Sequence, residues 1–238
     1  TGHTGFKGFW LALILKSMGA DVIGVSLKTD PNKKSHFNTL NGEELIKTFY
    51  LDIKDLSSLK ELTAQINPDY IFHLAAQALV AESFKDPINT FTTNTIGSIN
   101  LLESIRHATH QCNLIMITSD KVYENVEWVF GYRENDTLGG YDPYSASKAC
   151  AELSIRSYFN SYLRDSNIRL CIARAGNVIG GGDWSENRLI PDCIKSWSKK
   201  KKAIIRNPNS TRPWQHILEV VYGYLLLAKK IKENKKLH

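Results

Sequence analysis

The sequence predicts an α/β fold built on a doubly wound parallel sheet. Strand and helix patterns alternate along the 238 residues. The strand runs are near-continuously apolar, as when helices cover both faces of a parallel sheet. A glycine-rich turn, Thr1 to Gly8, leads straight into the first helical pattern.

The elements follow in order. Residues 5–18 read as a helix with Phe9, Leu11, Leu13, Ile14 and Leu15 largely buried, and the β-branched run 21–27 reads as a strand. Residues 47–51 form another strand. Residues 55–66 read as a helix that Asp55 can cap, with Leu56, Leu59 and Leu62 on one face. Residues 70–75 are an apolar strand. Asp86-Pro87 opens a long helix to about His107, and residues 114–119 are the next strand. A helix over 144–162, a strand over 168–173 and helices over 189–197 and 217–231 complete the pattern. The chain opens on a loop motif that a strand should precede and stops just after a helix. A missing first strand, and a fragment clipped at both ends, are therefore expected.

Apolar residues at 42% and charged residues at 23% fit a water-exposed globular chain. No run of 18 uncharged apolar residues occurs, so no membrane partner is expected. The apolar run 9–15 follows a glycine turn and lacks a cleavage pattern, unlike a signal peptide. Cys112, Cys150, Cys171 and Cys193 form no CxxC pair and no zinc spacing, so no metal is expected. They read as reduced thiols of a cytoplasmic protein. The net charge of +6 gathers in Lys199 to Lys202 and in the tail from Lys229 to Lys236. Both stretches follow helical patterns and read as solvated helix ends, so no nucleic-acid partner is expected.

The turn Thr1-Gly2-His3-Thr4-Gly5-Phe6-Lys7-Gly8 spaces its glycines by three. Gly2 would allow the tight turn, Gly5 the approach of a pyrophosphate, and Gly8 close packing of helix on sheet. The helix N-terminus would present free N–H groups and partial positive charge to the phosphates. Three glycines alone also fit a plain turn; the helix and strand that follow favour a dinucleotide site. Tyr144-Ser145-Ala146-Ser147-Lys148 is a YxxxK pair, whose two functional residues share one helix face. A nearby ammonium favours the phenolate, which makes Tyr144 a credible general base, though a surface helix pair has the same pattern. The strand 114–119 runs into Ser119, Asp120 and Lys121 at its carboxyl end, the edge where ligands bind in open α/β sheets. A helix cap followed by a surface lysine is the alternative there.

On these motifs the chain resembles the extended short-chain dehydrogenase/reductase family, a Rossmann-like fold. The GxxGxxG spacing, Leu51-Asp52-Ile53, Leu74-Ala75-Ala76-Gln77, Ser119, YxxxK, Arg174-Ala175-Gly176-Asn177 and Arg212-Pro213-Trp214-Gln215-His216 carry the resemblance. It implies NAD as cofactor, held by Gly2, Thr4, Gly5, Phe6, Gly8, Asp52, Ile53, Leu74, Ala75, Ala76, Asn94, Tyr144 and Lys148. Asp52 would accept from the adenine amino group, and Lys148 would hold the nicotinamide ribose. Asn177, Arg188, Arg212 and Trp214 would contact a nucleotide-sugar substrate, with Arg212 on its diphosphate. Residues 1–175 would form the dinucleotide-binding Rossmann domain, and residues 176–238 an incomplete segment of substrate loops and one further helix. Family members pair through two long helices, here 86–107 and 144–162, so a homodimer or homotetramer is expected.

The Asp120-Lys121 pair resembles the sugar-nucleotide 4,6-dehydratases, and Ser-Asp-Lys resembles the branch acting on CDP-glucose. That implies a hydro-lyase of nucleotide-sugar metabolism, such as O-antigen or lipopolysaccharide synthesis. Tyr144 would be the base at carbon 4, Asp120 the acid at carbon 6, and Lys121 the base at carbon 5 or an electrostatic support for the enolate. Two departures stand out. The second strand ends Ser26-Leu27-Lys28 without the usual acid, so NAD over NADP is not legible there. Residues 77–81 also lack the expected proline near 78 and arginine near 81. A 4-epimerase, a dehydratase for another nucleotide, and a non-catalytic NAD-binding protein are the competing readings.

Overall fold

A computed structural model describes residues 1–233. Of the basic tail, Asn234, Lys235 and Lys236 lie outside the described residues. In chain order the elements are α1 (Phe6–Ser17), β1 (Ile23–Ser26), α2 (His36–Thr39), α3 (Gly42–Leu45), β2 (Lys47–Tyr50), α4 (Leu56–Ile66), β3 (Tyr70–His73), α5 (Val80–Lys85) and α6 (Pro87–Phe91). A π turn (Thr92–Ile96) continues α6 into α7 (Gly97–Ile105), followed by β4 (Cys112–Ile117) and a 3-10 turn (Asp120–Val122). Then come α8 (Pro143–Tyr158), a second π turn (Phe159–Leu163), β5 (Ile168–Ala173), β6 (Asn177–Ile179), α9 (Leu189–Ser198), β7 (Trp214–His216) and α10 (Ile217–Glu233).

The fold is the expected parallel α/β architecture. β1 pairs with β2, β3–β4–β5 form a second ladder, and β6 pairs with β7, all in parallel. Thr1 and Gly2 sit between the first two ladders. The Gly2 amide donates to the Val25 carbonyl at 2.7 Å, while Leu74 N–H donates to the Thr1 carbonyl at 3.2 Å. β4, buried at every position, is the central strand of its ladder. On one face Leu114 and Met116 pack with Leu101, Leu102, Ile105 and Ile155 of α7 and α8. On the other face Ile115 and Ile117 meet Val220, Tyr224 and Ala228 of α10. Thus a helix from the segment after 176 returns to the sheet formed by the segment before it.

The structure refines several boundaries. The long helix expected over 86–107 is continuous but carries the π turn at 92–96, and its regular part ends at Ile105. It is opened by Asp86, whose side chain accepts from the Asn89 amide, with Pro87 at the first helical position. The helix expected from 144 begins one residue earlier, because the Asp142 side chain accepts from the Ser145 amide and Pro143 follows that cap. Asp55 caps α4 through the Ser58 amide. In α1 the apolar stripe is split: Phe9 and Leu11 are buried, whereas Leu13, Ile14 and Leu15 are only half-buried. The short elements α2, α3, α5, β6 and β7 carry too few residues to show a period, and tertiary contacts decide them.

Leu102 is fully buried between α7 and the sheet. Leu102→Ala should cost about 2–5 kcal/mol of unfolding free energy, read as a lower denaturation midpoint at unchanged denaturant slope.

Candidate active site

The site is assembled at the carboxyl edge of the sheet, beginning with the glycine turn. Gly2 adopts φ +76, and a Cβ there would lie 2.5 Å from the Ala75 amide nitrogen. Gly8 is demanded by the turn itself: a Cβ would meet the Gly2 carbonyl oxygen at 2.1 Å. Because Thr1 and Gly2 are bonded between β1 and β3, this is also the close approach of the helix to the sheet expected at Gly8. Gly5 is the N-cap of α1, with no side-chain cap and no acidic residue in the first turn. The leading amides of α1 are thereby left uncapped by side chains, which suits a phosphate. The Thr4 hydroxyl hydrogen-bonds that of Ser26 at 2.6 Å. The Phe6 side chain packs beside Leu11, Ile217 and Val221, leaving its backbone to the turn.

The remaining residues expected at the cofactor divide into free and occupied groups. Asp52 is half-exposed; its Oδ1 accepts from the Lys54 amide at 3.0 Å and its Oδ2 pairs with Lys54 Nζ at 3.4 Å. Ile53 points into α7, where a Cβ on Gly97 would meet its Cδ1 at 2.5 Å, and its carbonyl accepts from Asn100 Nδ2 at 3.0 Å. Leu74 packs under the sheet, and the Ala75 amide reaches the Thr1 hydroxyl at 3.3 Å. Ala76 is half-buried beside them. Asn94, in the first π turn, is buried with its side chain fully engaged. Its Oδ1 accepts from the Gln77 amide at 2.8 Å, and its Nδ2 donates to the Gln77 carbonyl at 3.0 Å and Ser147 Oγ at 2.9 Å. Asn94 therefore frames the site, which corrects its place among the direct cofactor contacts.

At the reacting end, Ser119 ends the approach of β4 and caps the 3-10 turn, its Oγ accepting from the Lys121 amide at 3.2 Å. The same hydroxyl donates to Asp120 Oδ1 at 3.1 Å and acts on the Tyr144 phenol. Burial pushes the Tyr144 phenol above the usual tyrosine value; the Ser119 hydrogen bond and the Arg188 charge oppose this, and Asp120 and Asp142 add to it. Lys148 is buried one turn further along α8, its Nζ 3.5 Å from the Ile117 carbonyl. Burial and then repulsion by Lys7 pull it down to about 7, against the attraction of Glu152. The structure thus brings Ser119, Asp120, Tyr144, Lys148 and Arg188 into one charge-coupled group.

Lys7 joins this group and was missed by motif reasoning. It stands in the first turn of α1, where burial and then Arg188 pull it down to about 8 while Asp120 holds it up. The available signal was its place inside the glycine motif, one residue before Gly8. Lys121 is half-buried on the 3-10 turn, and its ammonium has no hydrogen-bond or ion-pair partner among the described residues. Arg188 is steered by Asp183, with Nη1 to Oδ2 at 3.3 Å. The loop between β6 and α9 is held to α1 and to the β1–α2 loop: Trp10 donates to the Gly181 carbonyl at 2.8 Å, and Lys34 Nζ lies 3.6 Å from the Trp184 ring centre. Asn177 and Trp214 face each other in the β6–β7 register. Arg212 and Trp214 are exposed on that flank, with Arg212 Nη1 donating to the Thr211 carbonyl. Among the described residues no side-chain hydrogen bond or ion pair joins them to the Tyr144 group.

Residues 1–237 match the family described as GDP-mannose 4,6 dehydratase. A CDP-glucose 4,6-dehydratase from Salmonella typhimurium is 47% identical over 236 residues, which is 97% of this chain and 66% of that protein. A UDP-glucose 4-epimerase from Mycoplasma genitalium is 26% identical over 99% of this chain and 72% of its own length. Among solved structures, a dTDP-glucose 4,6-dehydratase from Streptomyces venezuelae with NAD bound has a TM-score of 0.82 at 22% identity, covering 95% of this chain and 70% of that one. A UDP-glucose 4-epimerase from Thermotoga maritima with UDP-glucose has a TM-score of 0.80 at 25% identity, covering 94% and 71%.

The buried Lys148 gives a pH-dependent prediction. Its value falls from 10.5 unfolded to about 7 folded, so the unfolded chain binds more protons between those limits. The cost of burying the ammonium is complete below about 7 and fades as pH rises towards the unfolded value. Lys148→Met should therefore stabilise the ligand-free protein at pH ~7 by at least about 1 kcal/mol, read as a higher melting temperature. The gain should shrink as the pH rises towards ~10; equal melting curves for both proteins across that range would contradict the burial argument.

Proposed function

Because the chain belongs to the GDP-mannose 4,6 dehydratase family, we propose that its carboxyl-edge site dehydrates a nucleotide-diphosphate hexose, converting CDP-glucose to CDP-4-keto-6-deoxyglucose. The observation that carries this reading is the coupling of Tyr144, Ser119, Asp120 and Lys148 beside the uncapped first turn of α1. An acid directly after the serine is what a dehydration needs and what a simple oxidation or epimerisation at carbon 4 does not.

NAD is the cofactor in this reading, as in the Streptomyces venezuelae relative. The cradle fits it: a loop in which Cβ atoms at Gly2 and Gly8 have no room, followed by uncapped helix amides, leaves space and donors for a pyrophosphate. Asp52 and the Ile53 amide would face the adenine, and Leu74, Ala75 and Ala76 the adenosine ribose. Lys148 would hold the nicotinamide ribose. Asp30 is committed to its own turn, its Oδ1 accepting from the Asn32 amide at 2.9 Å; the choice of NAD therefore rests on the relatives. When bound, NAD would accept a hydride from the sugar and return it in the same turnover.

Tyr144 takes the proton of the carbon-4 hydroxyl as hydride leaves carbon 4, and Ser119 orients that hydroxyl. The ketone acidifies the proton on carbon 5, which Lys121 removes in its neutral amine form. Asp120 protonates the carbon-6 hydroxyl, which departs as water. Lys121 would give its proton back to carbon 5 when the cofactor returns its hydride equivalent, leaving the 4-keto-6-deoxy sugar. The proton gained by Tyr144 balances the one lost by Asp120, and solvent resets both. Arg188 and Asn177 border the sugar-diphosphate, and the exposed Arg212 and Trp214 are free to close on it. Four free cysteines, three of them buried, accord with a reducing cytoplasm.

Two copies would pair through α6–α7 and α8, which leave Ile88, Ile96, Leu153 and Tyr162 exposed. Ile88→Asp should shift the sedimenting species towards monomer; an unchanged sedimentation coefficient removes this pairing.

The full-length protein, incubated with NAD and a panel of nucleotide-glucoses, should release a 4-keto-6-deoxy product from the cytidine sugar. Asp120→Asn and Lys121→Met should each lower turnover by about 10²-fold or more. Asp120→Asn should also accumulate about one equivalent of reduced cofactor per site. Product formation with only a uridine sugar, or a 4-epimer without loss of oxygen, would replace the proposal with another member of the family.

A further inference from the structure

Glu152 has no part in the proposed chemistry, yet it is fully buried on the helix that carries Tyr144 and Lys148. It follows Lys148 by four residues and Tyr144 by eight, so the three side chains share one face of α8. Both of its oxygens are engaged. Oε1 accepts from Arg174 Nε at 2.8 Å and from the Thr118 hydroxyl at 2.6 Å, and Oε2 accepts from Arg174 Nη2 at 2.5 Å. Arg156 of the same helix stands 3.6 Å from Oε2. One carboxylate thus joins α8, the end of β4 and the residue following β5.

Arg174 reaches further. Its Nη1 donates to the Glu134 carbonyl at 3.2 Å, and its guanidinium lies 4.7 Å from the centre of the Tyr123 ring. Burial disfavours the Arg174 cation, but hydrogen bonds to Glu152 and Tyr123 outweigh this and push its pKa up. Thr118 and Tyr123 bracket the turn that carries Ser119, Asp120 and Lys121. The pair therefore holds both ends of the acid–base turn and, through α8, the phenol it must face. A buried pair of this kind contributes little net stability compared with apolar side chains of the same volume. Its bidentate geometry instead fixes relative position.

We propose that Glu152 and Arg174 are positioning residues that set the register between the Asp120–Lys121 turn and the Tyr144–Lys148 helix. They touch neither substrate nor cofactor. Their removal should impair elimination, which needs the Asp120 and Lys121 side chains both placed against the sugar that Tyr144 holds, more than carbon-4 oxidation, for which the turn supplies only the Ser119 hydroxyl. The inference rests on the dehydratase reading, and the test separates the two.

The test uses full-length protein with NAD and CDP-glucose, comparing wild type, Glu152→Gln, Arg174→Lys and Thr118→Val. Glu152→Gln keeps one acceptor and the shape of the side chain; Arg174→Lys keeps the charge but loses the bidentate contact. Arg174→Lys should reduce kcat at least tenfold, leave KM within about twofold and raise the steady-state fraction of reduced nicotinamide per active site. Thr118→Val and Glu152→Gln should shift the same fraction by smaller amounts. The fraction is measured per folded site, so a purely structural loss would lower melting temperature and total activity without moving it. A fraction equal to wild type in every folded variant overturns the proposal. Thr118→Val, which removes only a hydroxyl, supplies the decision if Arg174→Lys does not fold. Absence of any cofactor reduction or product in the wild type would instead refute the dehydratase reading itself.

Discussion

The molecule turns on how closely the backbone can approach itself at its first two residues. Thr1 and Gly2 lie between β1 and β3, bonded to Val25 on one side and to Phe72 and Leu74 on the other. Only a residue without a Cβ can stand at position 2, given its left-handed φ and the Ala75 backbone against it. Gly8 then has to pass the Gly2 carbonyl. These contacts place the start of α1 over the gap between two parallel ladders. That gap is where an open α/β sheet reverses its winding and leaves a crevice for a ligand.

Electrostatics follow from this placement. The first turn of α1 delivers Lys7 to the same crevice that α8 supplies with Lys148 and the β6–α9 loop supplies with Arg188. Burial and then repulsion by a neighbouring cation lower the two lysines, while Asp120 partly relieves Lys7 and Glu152 partly relieves Lys148. A crevice that gathers Lys7, Lys148 and Arg188 is suited to anionic partners, because a diphosphate offsets the repulsion among them. The phenol of Tyr144 stays protonated in this state, since burial dominates its shift. A cation brought by the cofactor would favour its ionisation.

A second layer of polar contacts lies beneath the reacting groups. Asn94 clamps the Gln77 backbone to Ser147, and Ser147 Oγ donates to the Tyr144 carbonyl at 2.7 Å. His73 spans Thr1 and Ser98, with ring nitrogens 2.8 Å and 3.2 Å from the two hydroxyls, and burial holds it neutral. Such fully engaged buried groups fix the geometry of a site because leaving any one unpaired is costly.

Much of this was legible in the residue order. Alternating periods gave the parallel α/β class, since apolar runs without polar interruption have to be covered on both faces. The spacing of Gly2, Gly5 and Gly8, the Tyr144–Lys148 interval and the run Ser119-Asp120-Lys121 marked the site, because each lies within one turn or one strand end. The π turn at Thr92–Ile96, the inward rotation of Asn94, the cation of Lys7 among the reacting groups and the Glu152–Arg174–Thr118 junction were decided only by tertiary packing. The hydrogen bonds of Asn94 and Glu152 join residues 17 to 53 positions apart, and Lys7 meets groups still more distant in sequence. Local pattern records which face of an element is apolar, but which polar groups meet across elements depends on how helices and strands dock, and that information is not periodic in sequence.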